Sequence, residues 1–290
     1  MKARASALRH LDLSPFWRGL KGHDSKVAAL IGEEVKKFNA LIIQLPVSHT
    51  WTYTTATAFQ TLASLAPKDG DKLFWGDVLE QLEAFRVLSA WRALNLAKLT
   101  VKLLNKREFL GSATLARALM ETAASQYHFA FQFKRVAEAA ISGSGKLQEV
   151  EELFLHVLFA SKEEGEIYEP TNIMTKIKFA SEKTDNGSEA FVLYGKLCEV
   201  THPNKNGLMM FLADLKHTNI EGRNFRKIDG SFGPTGVLKA VDAALSLAWS
   251  VSCSCDADAV LLNLRSMIEE KLRATAQPPP CKQNLDTKSL

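Results

Sequence analysis

Ser112-Ala-Thr-Leu-Ala-Arg-Ala-Leu-Met-Glu-Thr-Ala-Ala-Ser-Gln-Tyr-His-Phe-Ala-Phe-Gln-Phe133 is rich in alanine and aromatics and holds neither proline nor glycine. Leu115, Leu119, Ala123, Ala130 and Phe133 recur on one side at helical spacing, which predicts a helix from Ser112 to about Ala140. Opposite them runs a polar stripe of Arg117, Glu121, Ser125, His128 and Gln132, within about 80° of one another at 100° per residue. A helix this apolar needs neighbours on most sides. The chain is therefore expected to fold as an all-α, multi-helix bundle of about seven to nine helices.

The flanking sequence supplies those neighbours. Val27, Leu30, Ile31, Phe38, Leu41, Ile42 and Leu45 predict a helix over 24–45 that Pro46 ends. Residues 47–66 read as a short helix, followed by a turn at Pro67-Lys-Asp-Gly70. A long helix is expected over 72–107, with acids early and bases late, as the helix dipole favours. Ala90, Ala93, Leu94, Ala97, Val101 and Leu104 share its buried face. Ile141-Ser-Gly-Ser-Gly145 breaks the chain before an amphipathic helix from Lys146 to about Ala160. Pro170-Thr-Asn172 caps a helix through Lys183, and Ser188 caps another that runs to His202. Glycine and asparagine interrupt 207–232, where a small hairpin fits. Two further helices are read, from Pro234 to about Ser252 and from Asp256 or Asp258 to Arg273.

Composition bounds the class. The chain has 290 residues, 46% hydrophobic and 23% charged, enough to bury a core without disulfide staples. Lys2, Arg4, Arg9, Arg18 and Lys21 against Asp12 account for the whole net charge of +4. Residues 1–23 therefore read as a basic arm, with Phe16 and Trp17 tucked onto the body. Residues 24–275 read as a single helical domain, with 142–145 as a sub-boundary to test, and 276–290 as a disordered tail. Cys198, Cys253, Cys255 and Cys281 lack zinc-knuckle spacing, so reduced thiols and a cytoplasmic setting are expected. No membrane partner is expected, because no apolar run approaches the ~20 residues needed to span a bilayer.

The stretch Tyr194-Gly-Lys-Leu-Cys-Glu-Val-Thr-His-Pro-Asn204 concentrates the chemistry. Leu193, Leu197 and Val200 share one face of its helix, and Phe191, Gly195, Cys198 and His202 lie nearly opposite. Gly195 suggests close approach by another helix. Glu199 and His202 stand at the i,i+3 spacing that carboxylate-bundle metal sites use. Glu199, His202, Glu121 and His128 are the candidate metal ligands. Arg117 and Glu121, at i,i+4, have the geometry of an ion pair. Lys98, Lys102 and Lys106, one turn apart, form a stripe that nucleic-acid phosphates would fit.

The Arg117-Ala-Leu-Met-Glu121 and Tyr194-x-x-Leu-x-x-x-x-His-Pro203 motifs resemble bacterial helical-bundle proteins that carry the same pair. More distantly they resemble the HEPN group of helical bundles, some of which are toxin or defence ribonucleases. That resemblance implies RNA binding or cleavage, with His202, Lys196, Arg117 and Glu121 as candidate catalytic residues. Lys196 stands where the group carries arginine, and an ammonium lacks the planar fork that grips phosphate at two points. No nucleophile elbow, zincin helix or dinucleotide fingerprint occurs, and no cofactor is expected. The leading expectation is a protein that binds a protein partner or its own copy. RNA processing and metal-dependent chemistry are the alternatives.

Overall fold

The computed structural model describes Leu11 and residues 23–46, 48–50, 67–160, 162, 168–185, 187–211, 219–220, 223–224 and 234–276. Among these are eight helices: α1 (His23–Gln44), α2 (Pro67–Asn105), α3 (Phe109–Ile141), α4 (Leu147–Phe159), α5 (Ile173–Lys183), α6 (Gly187–Thr201), α7 (Lys205–Met209) and α8 (Pro234–Ala276). A two-residue antiparallel ribbon pairs β1 (Asn219–Ile220) with β2 (Arg223–Asn224), within the stretch read as a hairpin. The all-α, multi-helix architecture is as expected. The short helix read over 47–66 falls largely outside the described residues, as do the tail and, Leu11 apart, most of the basic arm.

Three boundaries differ from the reading. Pro67 does not open a turn but is the first residue of α2. Its missing N–H is no loss there, and its fixed φ suits a helical start. Gly187, not Ser188, opens α6, and the position admits no side chain, since a Cβ there would fall 1.3 Å from the carbonyl oxygen of Ser181. The two carboxy-terminal helices are one, the 43-residue α8. Nothing at 253–258 breaks a helix, and Asp258 points into the core instead of capping.

α8 runs about 64 Å at 1.5 Å per residue and forms the spine with α3. Lys271 Nζ donates to the Ile141 carbonyl at 3.3 Å, so the carboxy-terminal ends of these two helices lie together. Against α2 it runs antiparallel: Asp258 meets Arg86, and Lys271 lies over the Trp75 ring. Small residues allow the spine to close. Ala113, Ala116, Ala123, Ala124, Ala130 and Ala137 on α3, and Ala243, Ala244 and Ala257 on α8, are buried. The buried Ser246 and Ser250 hydroxyls donate to the carbonyls of Asp242 and Ser246 in their own helix, which satisfies them without a partner helix. By length and composition α8 is also the one described helix able to cross a membrane, over Leu238–Thr275; 56% of its apolar window is buried in the bundle.

α2 and α3 join through a tight turn. Glu108 N and Arg107 N donate to the Leu103 and Leu104 carbonyls, with Arg107 in the left-handed region at φ 61°. The Gly-Ser stretch after α3 is likewise a helix cap: Ser144 N and Gly145 N both donate to the Ala139 carbonyl, and Gly143 takes φ 79°. One buried cluster draws on both sides of it, with Phe85, Phe129, Phe133 and Phe154 joining α2, α3 and α4.

Candidate functional site

The two motifs meet. Arg117 and Glu121 sit one turn apart on the α3 face that α6 covers. Arg117 Nε donates to Glu121 Oε1 at 3.0 Å, and its Nη1 donates to Thr201 Oγ1 at 3.1 Å. The Tyr194 hydroxyl donates to the same Glu121 oxygen at 2.8 Å. The Arg117 guanidinium also lies 5.9 Å from the Tyr194 ring centroid, within cation–π range. Thr201 Oγ1 in turn donates to the Cys198 carbonyl, 3.1 Å away, tying the guanidinium to the end of α6.

The electrostatics suit a lock. Burial of the ring and the adjoining Glu121 carboxylate push the Tyr194 phenol well above its ordinary range, so it keeps its proton and remains a donor. Burial works against the Arg117 charge, but Glu121, Cys198 and Tyr194 outweigh it, and the guanidinium is held more firmly protonated than usual. Arg117, Glu121, Tyr194 and Thr201 are thus each hydrogen-bonded to another member of the cluster. The stripe is neither solvent-facing nor fully enclosed: Arg117 and Glu121 keep 29% and 30% of their side-chain exposure.

The other candidates lie apart. His128 is half-buried, two turns along α3, with its ring edge-on to Phe179 at 5.0 Å. Burial, then the Lys176 charge, lowers its pKa. Glu199 and His202 are exposed at the end of α6. Asn204 spans the break after them: its Nδ2 donates to Glu199 Oε2 at 2.7 Å, and its Oδ1 accepts from Gly207 N at 3.2 Å. Gly207 packs against this end so closely that a Cβ would come 2.3 Å from the His202 carbonyl oxygen. Lys196, also exposed, lies 3.8 Å from Asp242 of α8. Glu121, Glu199, His202 and His128 do not come together, and no group of three or more potential metal ligands forms among the described residues. Gly195, read as a point of close helix approach, faces open space, with nothing within 4 Å of a Cβ placed there. Lys102 and Lys106 are exposed, and Lys98 is partly buried, which lowers its pKa.

Two features escaped the sequence reading. The first is a buried ion network between α2 and α8. Arg86 Nη1 donates to both Asp258 oxygens at 3.2 and 3.3 Å, while its Nε and Nη2 grip Glu83 at 3.0 and 2.9 Å. Arg265 then joins Glu83 to Glu269 at 3.1 and 2.8 Å. Burial holds the Asp258 carboxyl above the usual range despite Arg86. Its sequence signals are the Glu83-x-x-Arg86 and Arg265-x-x-x-Glu269 spacings.

The second feature is a groove. One cleft of about 430 Å³ lies between α1, the α5–α6 turn and α8. A second of about 440 Å³ lies between α6 and α8, and both are lined by Glu189, Leu193 and Leu245. Leu30, read as a core residue of α1, is instead 66% exposed on its rim. Fold and site thus define an all-α bundle whose polar centre clamps two helices and whose apolar groove lies open. No family model, curated protein or solved structure matches the chain.

Proposed function

We propose that this protein acts by binding another protein through the groove bordered by α1, α6 and α8, and that the Arg117–Glu121–Tyr194 cluster holds α6 in place to form its wall. One observation carries the reading. Leu30, Val192 and Leu238 are 66, 56 and 67% exposed, and all three line the same pair of adjoining clefts. Single exposed apolar side chains are ordinary on any surface; Leu30 along one cleft and Val192 and Leu238 along the adjoining one together support an interaction site.

The ribonuclease reading asks Arg117, Lys196 and His202 to meet at one phosphate. Arg117 is engaged by Glu121 and Thr201, and Lys196 by Asp242. At 100° per residue Lys196 and His202 also point roughly 120° apart around α6. The geometry therefore favours binding over cleavage.

A Val192→Glu/Leu238→Glu protein tests the proposal. Both side chains are exposed, so the melting temperature is expected to hold, while chemical crosslinking to a partner in cell extract, or to a second copy, is lost. Crosslinking unchanged in this variant would refute the groove as the binding surface. RNA degradation by the purified protein, abolished by His202→Ala, would favour the ribonuclease reading instead.

A further inference from the structure

From the charges around this groove we infer the class of its occupant: an amphipathic helix of a partner protein, apolar on one face and flanked by lysine or arginine. The inference rests on the binding reading above. Leu193, Leu245 and Trp249 line the apolar interior, while Leu30, Val192 and Leu238 stand at the margins. From Leu238 to Asp256 the two clefts follow 18 residues of α8, about 27 Å. That is the length of a five-turn helix, and a helix laid in such a groove anchors through residues at i, i+3, i+4 and i+7.

The sign of the partner's charge follows from which groove charges are already satisfied. Glu34 pairs with Lys37 at 3.0 Å, and Asp242 lies 3.8 Å from Lys196. Among the described residues Asp185, Glu189 and Asp256 are exposed and in no ion pair, against Lys183 alone of the bases lining the clefts. An open rim of three acids and one base thus borders the interior of a protein whose net charge is +4. Two of the groove carboxylates, Asp256 and Asp242, are also poorly stabilised as anions. Burial raises the Asp256 pKa, and Glu34 and Asp185 add to the effect although Lys37 opposes it. For Asp242 burial again outweighs the neighbouring Lys196 and Lys239. A cationic side chain at the rim adds to the countercharge that Lys37, Lys196 and Lys239 supply only in part. A second acidic surface would add to the repulsion.

Two fluorescein-labelled 18-residue peptides provide the test, with the same leucine spacing and either lysine or glutamate on the flanks. Fluorescence anisotropy with the full-length protein should show the lysine peptide binding at least tenfold tighter. Glu189→Lys/Asp256→Lys should abolish or invert that preference. Val192→Glu/Leu238→Glu should weaken both peptides, with circular dichroism unchanged. Tighter binding of the glutamate peptide, or a preference that survives charge reversal, overturns the basic partner while leaving the binding reading intact. The same holds if neither peptide binds and light scattering shows a dimer that Leu238→Glu dissociates, because the occupant is then a second copy. If neither peptide binds, no dimer forms and no partner crosslinks, both readings fall together.

Discussion

Glu121 Oε1 accepts two hydrogen bonds at once, from Tyr194 on α6 and from Arg117 on its own helix, at 2.8 and 3.0 Å. The carboxylate is the pivot of the clamp, so its partners should differ in how much each contributes. Tyr194→Phe keeps the buried ring and removes only the donor. It should destabilise by about 1.5 kcal/mol, as for a hydrogen bond to a charged group. Glu121→Ala removes both interactions and leaves Arg117 unpaired, and should cost more. Urea unfolding of the two variants beside the parent checks this ordering; midpoints equal to the parent's would show that the clamp contributes nothing.

The Arg86–Asp258 pair should behave asymmetrically. Asp258 is fully buried and Arg86 is 5% exposed. Removing Arg86 strands the buried Asp258 carboxylate, at a cost of about 3–5 kcal/mol, and removing Asp258 leaves the buried guanidinium with Glu83 as its one remaining anion. Asp258→Ala should therefore be destabilising. Arg86→Met/Asp258→Leu should recover most of the loss, because the double change leaves no uncompensated charge. Thermal melts of the three proteins decide it, and a double variant worse than Asp258→Ala would contradict the argument.

Gln126 is 1% exposed, and among the described residues neither its Oε1 nor its Nε2 has a hydrogen-bond partner. An unsatisfied buried amide costs about 1–3 kcal/mol. Gln126→Met preserves the volume and removes that cost, so the variant should be more stable than the parent by about 1 kcal/mol or more. A lower denaturation midpoint would show that the amide is satisfied in solution.

His128 should make stability depend on pH. Its folded pKa lies below the ordinary histidine value, through burial and then the Lys176 charge. In that window the unfolded chain takes up a proton before the folded one. The stabilising contribution is therefore present above the ordinary value near 6.5, and is lost as pH falls through the lowered value. The melting temperature of the parent should drop more steeply between pH 7.5 and 5 than that of His128→Asn. Parallel slopes would remove His128 as the cause.

Local periodicity carried most of the helices. The α1 and α4 bounds and the Asn172 cap, whose side chain accepts from Met174 N at 2.9 Å, were readable because each depends on residues within a turn or two. What sequence reading missed depends on distant partners. Asp256 and Asp258 look like helix caps, yet Asp258 is held by Arg86, 172 residues away. The Arg117–Glu121 pair was visible as a spacing, but its bonds to Tyr194 and Thr201 span 73 and 84 residues. Glu199 and His202 had suggestive spacing, but nothing local reports that the end of α6 faces solvent. The open position of Leu30 was hidden for the same reason, since an apolar residue at helical spacing reads alike on either side of a rim.

Because α8 is both the spine and the last of the described helices, the order of synthesis sets when the core can close. Between Gln44, the end of α1, and Pro234, the start of α8, the ribosome must add 190 residues. At roughly 5–20 residues per second this takes about 10–40 s. Through that interval the faces of α1, α2 and α3 that α8 covers have no native partner. α2 and α3 can pair early through their own turn, but α1 waits, and its packing against α8 closes one of the longest loops in the chain. The face of α1 that α8 covers therefore stays open until α8 emerges.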